Sequence, residues 1–228
     1  MVEVVVFTEG QTEEQFIKQV IAPMLLPLAV FVKPQLLNTS RDARGGAVSF
    51  ERLQFNARNT LKMRSSPILT TFIDLYALDT KFPAFEESKS QIDMLKRVAC
   101  LEEALHKAII KHVECRPERF IPHIQPYEFE GLLFSDVNAL CRTEPSWSNA
   151  LKRLTEVRNE FISPEHINDG YDTKPSKRLG DILNPKYRKT RHGPLAVKQI
   201  TLTVIEAQCV HFHSWLDRLR ALSAVKER

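Results

Sequence analysis

With 228 residues and 26.2 kDa, the chain is long enough to bury a sizeable core, as one large domain or as a domain with an appended subdomain. Hydrophobic residues at 43% and charged residues at 26% place it among ordinary globular chains and disfavour a disordered or a membrane class. A formal charge of +4 and a pI near 8.9 are mildly basic and compatible with an acidic partner such as nucleic acid.

VEVVVF, closed by Thr8, Glu9 and Gly10, has the form of a buried strand and a turn. From Thr12 the period changes. TEEQFIKQVIAPML puts Phe16, Ile17, Val20 and Ile21 on one helical face, with Thr12 as N-cap and acids in the first turn to complement the dipole. LAVFVKPQLLN reads as a second strand edged by Pro34, followed by a flexible basic loop, SRDARGG. SFERLQFNARNTLKM is the next helix, SSPILTTFIDLYALD a buried strand ending in Asp74, and Ser88–Val113 a long amphipathic helix. RFIPHIQPYEFEGLLFSD then reads as a strand running into Glu128 and Glu130, whose alternation with Tyr127 and Phe129 puts both carboxylates on one face.

Strand and helix alternate at least three times, so the expected architecture is α/β, a mostly parallel sheet flanked by helices. Beyond Asp136 the character shifts to a helix in WSNALKRLTEVRNEF, a polar excursion in INDGYDTKPSKRLGDILNPKYRKTRHGP, and a closing amphipathic helical region. The expected division is an α/β core over 1–136 and a helical, basic-loop extension over 137–228.

MVEVVVFTEG has no basic n-region or cleavage site, and VIAPMLLPLAVFV is broken by two prolines, so a cytoplasmic protein without a membrane segment is expected. Cys100, Cys115, Cys141 and Cys209 form no CxxC pair and read as reduced, mostly buried thiols. His211 and His213 beside Cys209 read as packing and surface residues rather than ligands. GxxxxGK[ST], GxGxxG and GxSxG are all missing, which removes the commonest nucleotide loops and the commonest hydrolase elbow.

The acids carry the chemistry. In open parallel sheets ligands bind outside the carboxyl ends of strands. Glu9, Asp74 and the pair Glu128 and Glu130 each fall at such an end, so neighbouring strands would bring four carboxylates to one crevice. That concentration of charge calls for a hard divalent cation with a preference for oxygen, Mg²⁺ or Mn²⁺. Glu13 stands between ligand and dipole partner, and Glu14 reads as a helix-start acid. Between Thr173 and Arg191 the basic residues Lys174, Lys177, Arg178, Lys186, Arg188, Lys189 and Arg191 face a single acid, Asp181. Such a segment suits a phosphate backbone, with Tyr187 and His192 as stacking or hydrogen-bonding groups, and equally suits a solvated loop.

TEGQTEE, FIDLYALDTKFPAF, QPYEFEGLLFSD, INDGYDTKPSKRL and YRKTRHGP, in that order and over nearly the whole chain, resemble the bacterial proteins grouped as domain of unknown function 4276. The resemblance implies a TOPRIM-like fold, shared with topoisomerases, primases and the overcoming-lysogenization-defect nucleases. It further implies a Mg²⁺- or Mn²⁺-dependent nuclease centre, a setting in phage defence, and a partner ATPase of the AAA or ABC type, with a homo-oligomer as a further expectation. On that resemblance Glu9 is metal ligand or general base and Asp74 the aspartate of the central strand. Tyr76 stands where the wider TOPRIM pattern has a second aspartate. Asp79 lies five residues beyond Asp74, so Glu13, Glu128 or Glu130 is the expected substitute. Glu9, Asp74, Glu130 and Lys177 are therefore the candidate catalytic residues, and Glu9, Glu13, Asp74, Glu128 and Glu130 the candidate ligands. Lys174, Lys177, Arg178, Tyr187, Lys189 and His192 are the candidate contacts to nucleic acid. The competing expectation is a non-catalytic TOPRIM-like binding or regulatory subunit of an ATPase complex, which the missing second aspartate favours.

Overall fold

The computed structural model describes residues 1–37, 48–168 and 170–226; the loop expected at SRDARGG lies outside them. The protein is α/β with a parallel sheet, and the chain divides into two compact units, 1–125 with 215–228, and 126–214.

The first unit is built around β1 (Val2–Thr8). Its continuous apolar run suits a strand covered on both faces, and Val4, Val6 and Phe7 are fully buried. A short helix α1 (Gln11–Phe16), a π-helical turn (Ile17–Ile21) and α2 (Ala22–Leu25) lead to β2 (Val30–Leu36). Helix α3 (Phe50–Leu61) precedes β3 (Ile68–Asp74), and α4 (Met94–Val113) precedes the two-residue strands β4 (Phe120–Ile121) and β5 (Ile124–Gln125). The Asp93 carboxylate caps α4 by accepting from the Lys96 amide at 2.9 Å.

The strand order is β2-β1-β3-β4, with β5 also on β3, and every ladder is parallel. Pro122 offers no N–H between β4 and β5. The Thr71 hydroxyl fills that break, accepting from the His123 amide and donating to its carbonyl, both at 2.8 Å. On one sheet face Phe72 meets the rings of Phe16 at 5.4 Å, His123 at 5.4 Å and Trp215 at 5.2 Å. Trp215 Nε1 donates to Thr70 Oγ1 at 2.9 Å. Each fully buried large side chain of this kind contributes about 1.5–3 kcal/mol. Right-handed crossovers out to β2 and back to β3 put α3 on the face opposite α1.

The second unit is mainly helical, with α5 (Val137–Cys141), α6 (Leu151–Asn159), α7 (Pro175–Ile182), α8 (Lys189–Ile200), α9 (Leu202–Gln208) and the first part of α10 (Val210–Arg220). The buried Glu165 carboxylate accepts from the amides of His211 at 3.1 Å and Phe212 at 2.9 Å, satisfying the open N-terminus of α10.

Two expectations are corrected here. The strand expected to carry Glu128 and Glu130 ends at Gln125. Tyr127 takes a left-handed backbone at φ 57°, and Phe129–Ser135 is a 3₁₀ helix containing Glu130. The alternation therefore does not describe one strand face. Likewise the stretch expected as a basic loop is partly helical, because α7 and the start of α8 lie within it.

Candidate metal centre

At the C-terminal edge of the sheet, in the first unit, Glu9 follows β1, Asp74 ends β3, and Glu13 enters from the first turn of α1. The strands fix the first two by register: β1 and β3 are hydrogen-bonded neighbours, with Thr8 opposite Phe72. One carboxylate oxygen from each of Glu9, Glu13 and Asp74 lies within 4.8 Å of the other two. Glu13 and Asp74 are only 4% and 3% exposed. Gly10 makes room for the third carboxylate, since a Cβ there would meet Glu13 Oε2 at 2.9 Å. The backbone at Gly10, φ −144° and ψ 174°, is extended and open to any residue, so the requirement is for space and not for conformation.

The donor set is all carboxylate oxygen, with no nitrogen or sulfur, which suits a hard cation of the Mg²⁺ or Mn²⁺ kind. With Mg–O distances of about 2.1 Å, oxygens that share one ion stand no more than about 4.2 Å apart, so the trio, within 4.8 Å of one another, would draw inward to hold it. The residues present thus fit the ion that the resemblance implies. Glu14 is directed elsewhere, pairing with Lys18 one turn along. Tyr76 is 44% exposed in the turn after Asp74, and Asp79 accepts from the Lys81 amide at 2.9 Å.

Glu128 and Glu130 belong to the second unit, 4% and 0% exposed. Lys174 Nζ lies 3.2 Å from Glu128 Oε1, and Lys189 Nζ lies 3.2 Å from Glu130 Oε2 and 3.8 Å from Glu128 Oε1. The Ser176 amide at the start of α7 donates to Glu128 Oε2 at 2.9 Å, and the Tyr187 hydroxyl donates to Glu130 Oε1 at 3.5 Å. Burial pushes the Glu128 carboxyl up, but Lys189, Ser176 and Lys174 together hold it below the usual range.

The basic residues expected to meet a phosphate backbone are therefore held within this unit. Lys174, Lys189 and Tyr187 face the two buried glutamates. Lys177 pairs with Asp181 along α7. Arg178 donates to the Thr173 carbonyl, lies 3.7 Å from Glu160, and covers the Phe161 ring. His192 is buried, edge-on to Trp147 at 4.7 Å, and its Nδ1 accepts from the Arg188 amide at 2.9 Å. Burial and Arg191 hold the imidazole below its ordinary pKa.

Sequence reasoning passed over Thr8, the last residue of β1, and Gln125, which is in register with Asp74 on β5. No pattern singles them out, because their importance rests on one buried polar atom of each, Thr8 Oγ1 and Gln125 Nε2, that has no hydrogen-bond partner among the described residues.

No helix among the described residues is long and apolar enough to cross a membrane. No curated protein and no solved structure matches the chain. The family model for a domain of unknown function, DUF4276, matches residues 8–220, and the chain belongs to that family.

Proposed function

We propose that the protein is a metal-dependent phosphodiesterase acting on nucleic acid, with a TOPRIM-like centre that takes Mg²⁺ or Mn²⁺. The observation that carries this reading is the convergence of three carboxylate oxygens, from Glu9, Glu13 and Asp74, within 4.8 Å at the carboxyl edge of a parallel sheet. When bound there, the cation activates water and offsets charge on a phosphate. Asp74 and Glu13, both buried, would hold such an ion in a defined place. Glu9, the more exposed of the three, is the group that accepts a proton from the attacking water. In the second unit Lys177 lies on the solvent side of α7 and is the candidate contact to the nucleic acid backbone. By resemblance, an ATPase partner, a phage-defence role and a cytoplasmic setting complete the proposal.

A second reading is favoured by one observation, the half-exposed Tyr76 where the wider TOPRIM pattern has an acid. On this reading the chain is a non-catalytic binding or regulatory subunit of the ATPase complex. Calorimetric titration with Mn²⁺, run beside cleavage assays on plasmid, single-stranded DNA and RNA, separates the two. The nuclease reading expects saturable Mn²⁺ binding and cleavage, both lost in Glu9→Gln and Asp74→Asn. Cleavage that persists in both variants sinks it, and Mn²⁺ binding without cleavage moves the weight to the second reading.

A further inference from the structure

Two strand-end side chains, Thr8 and Gln125, share a sheet face with Asp74. Thr8 is in register with Phe72, and Phe72 and Asp74 are two residues apart on β3. Gln125 is in register with Asp74 across the β3–β5 ladder. Side chains at paired positions of parallel strands, and at every second position along one strand, point to the same face, so Gln125 stands beside Asp74 on that face, and Thr8 stands on it two residues back, on the other side of β3. The ring of His123, two residues before Gln125, stacks on Phe72, which fixes the same face independently.

Thr8 and Gln125 are both fully buried. Among the described residues, Thr8 Oγ1 and Gln125 Nε2 have no hydrogen-bond partner. Burying a hydroxyl and an amide with nothing to bond is costly, and native chains tolerate it mainly where a further group completes the site. The amide is not loosely placed. Its Oε1 faces His123 Nε2 at 3.3 Å, and the imidazole is sandwiched between Phe72 at 5.4 Å and Trp215 at 4.9 Å. On the far side His123 Nδ1 lies 3.7 Å from Glu102 Oε1, and that oxygen also accepts from the Ile124 amide at 2.7 Å. With the oxygen end turned to histidine, the –NH₂ end is the part left for a ligand, and a donor there requires an acceptor.

We infer that Gln125 Nε2, beside Asp74, and Thr8 Oγ1, across β3 from it, donate to separate non-bridging oxygens of a phosphate bound beside the carboxylate cluster. The inference rests on the reading that Glu9, Glu13 and Asp74 hold a cation, which offsets their charge and allows a phosphate to approach. Gln125 and Thr8 are then binding residues for the phosphoryl group. His123 is a positioning residue that sets which end of the amide faces it.

The test titrates the full chain with Mn²⁺, and then with thymidine 5′-monophosphate in the presence of Mn²⁺. It uses wild type, Gln125→Glu and Thr8→Val. Gln125→Glu keeps the oxygen that faces His123 and replaces the donor with an acceptor of the same shape. It should weaken nucleotide binding at least about tenfold while keeping or raising Mn²⁺ affinity. Thr8→Val removes an unpartnered hydroxyl without changing shape. It should also weaken the nucleotide about tenfold, and the melting temperature without ligands should hold or rise by about 2–4 °C. A structural role for either residue predicts the opposite, a lower melting temperature and unchanged nucleotide affinity. Loss of Mn²⁺ binding in wild type overturns the metal reading itself. Mn²⁺ binding with no nucleotide binding in wild type, or with equal nucleotide affinity in all three proteins, overturns this inference alone.

Discussion

Buried acids occur in both units, and the two groups are solved differently. In the second unit Glu128 and Glu130 meet Lys174, Lys189, a backbone amide and a phenol, so the chain itself supplies cations and donors to two nearly inaccessible carboxylates. In the first unit Glu9, Glu13 and Asp74 turn their oxygens toward one another, with two buried polar atoms beside them. A buried carboxylate facing lysines is compensated within the chain, whereas on the proposed reading the carboxylates that converge within 4.8 Å would be compensated by a cation. The difference also explains why a basic segment can be rich in lysine and still offer few free cations, since part of its charge is turned inward.

The strongest way to break this comparison is Asp74→Asn, expected to weaken Mn²⁺ binding by about 100-fold or more while the protein keeps its circular dichroism spectrum. Retained affinity would remove Asp74 from the ligand set. Glu130→Gln probes the other side. The fully buried position loses its charge against Lys189, and Lys189 is half exposed, so the cost is discounted for solvent to about 2 kcal/mol. Thermal melting should then fall by roughly 4–8 °C. Mn²⁺ affinity serves as the control: if Glu130→Gln abolishes it, the division between a structural pair and a metal-holding trio fails.

Much of the fold was legible because period is a local property. β1 and β3 are apolar runs closed by polar residues, and α4 repeats its apolar positions at helical spacing between an Asp93 cap and a left-handed Glu114. The stretch after Gln125 misled because a 3₁₀ helix that buries nearly everything places Phe129, Leu132 and Leu133 inside alongside Glu130, so apolar and acidic positions no longer mark two faces. Helix α7 was hidden by its charge, since a segment with Lys177, Arg178 and Asp181 around the buried Leu179 reads as a solvated loop. At the candidate site, Glu9 and Asp74 could be picked from strand ends alone. Glu13 could not be separated from a dipole partner until its approach to Gly10 was visible, and Thr8 and Gln125 acquire meaning only from missing hydrogen bonds.

Acid titration sharpens the comparison by a smaller amount. The Glu128 carboxyl is depressed in the folded state, so its contribution is present above the unfolded value, about 4.3, and is lost as pH falls through the folded value. His192 is also depressed, so the unfolded chain takes up a proton first, near pH 6.5, and stability declines from there until the folded imidazole titrates. Protonation at Nδ1 would also remove the acceptor of the Arg188 amide. Urea denaturation across pH 3–8 should therefore show two descending steps. Glu128→Gln removes the lower step and His192→Gln the upper one; survival of both steps in both variants would assign them to other groups.

The smallest expected effect is also the most selective. In Gly10→Ala the extended backbone accepts alanine without strain, so thermal melting should move by no more than about 2 °C. The added methyl, however, would stand 2.9 Å from Glu13 Oε2, closer than a carbon and an oxygen tolerate, and the carboxylate must swing away. If Glu13 is the third ligand, Mn²⁺ binding should weaken about tenfold, the scale seen when a supporting group around a metal is disturbed. If Glu13 only complements the dipole of α1, a carboxylate shifted within the first turn keeps that interaction, and Mn²⁺ affinity should stay at the wild-type value. One methyl group thus distinguishes a helix-start acid from a metal ligand without removing either charge.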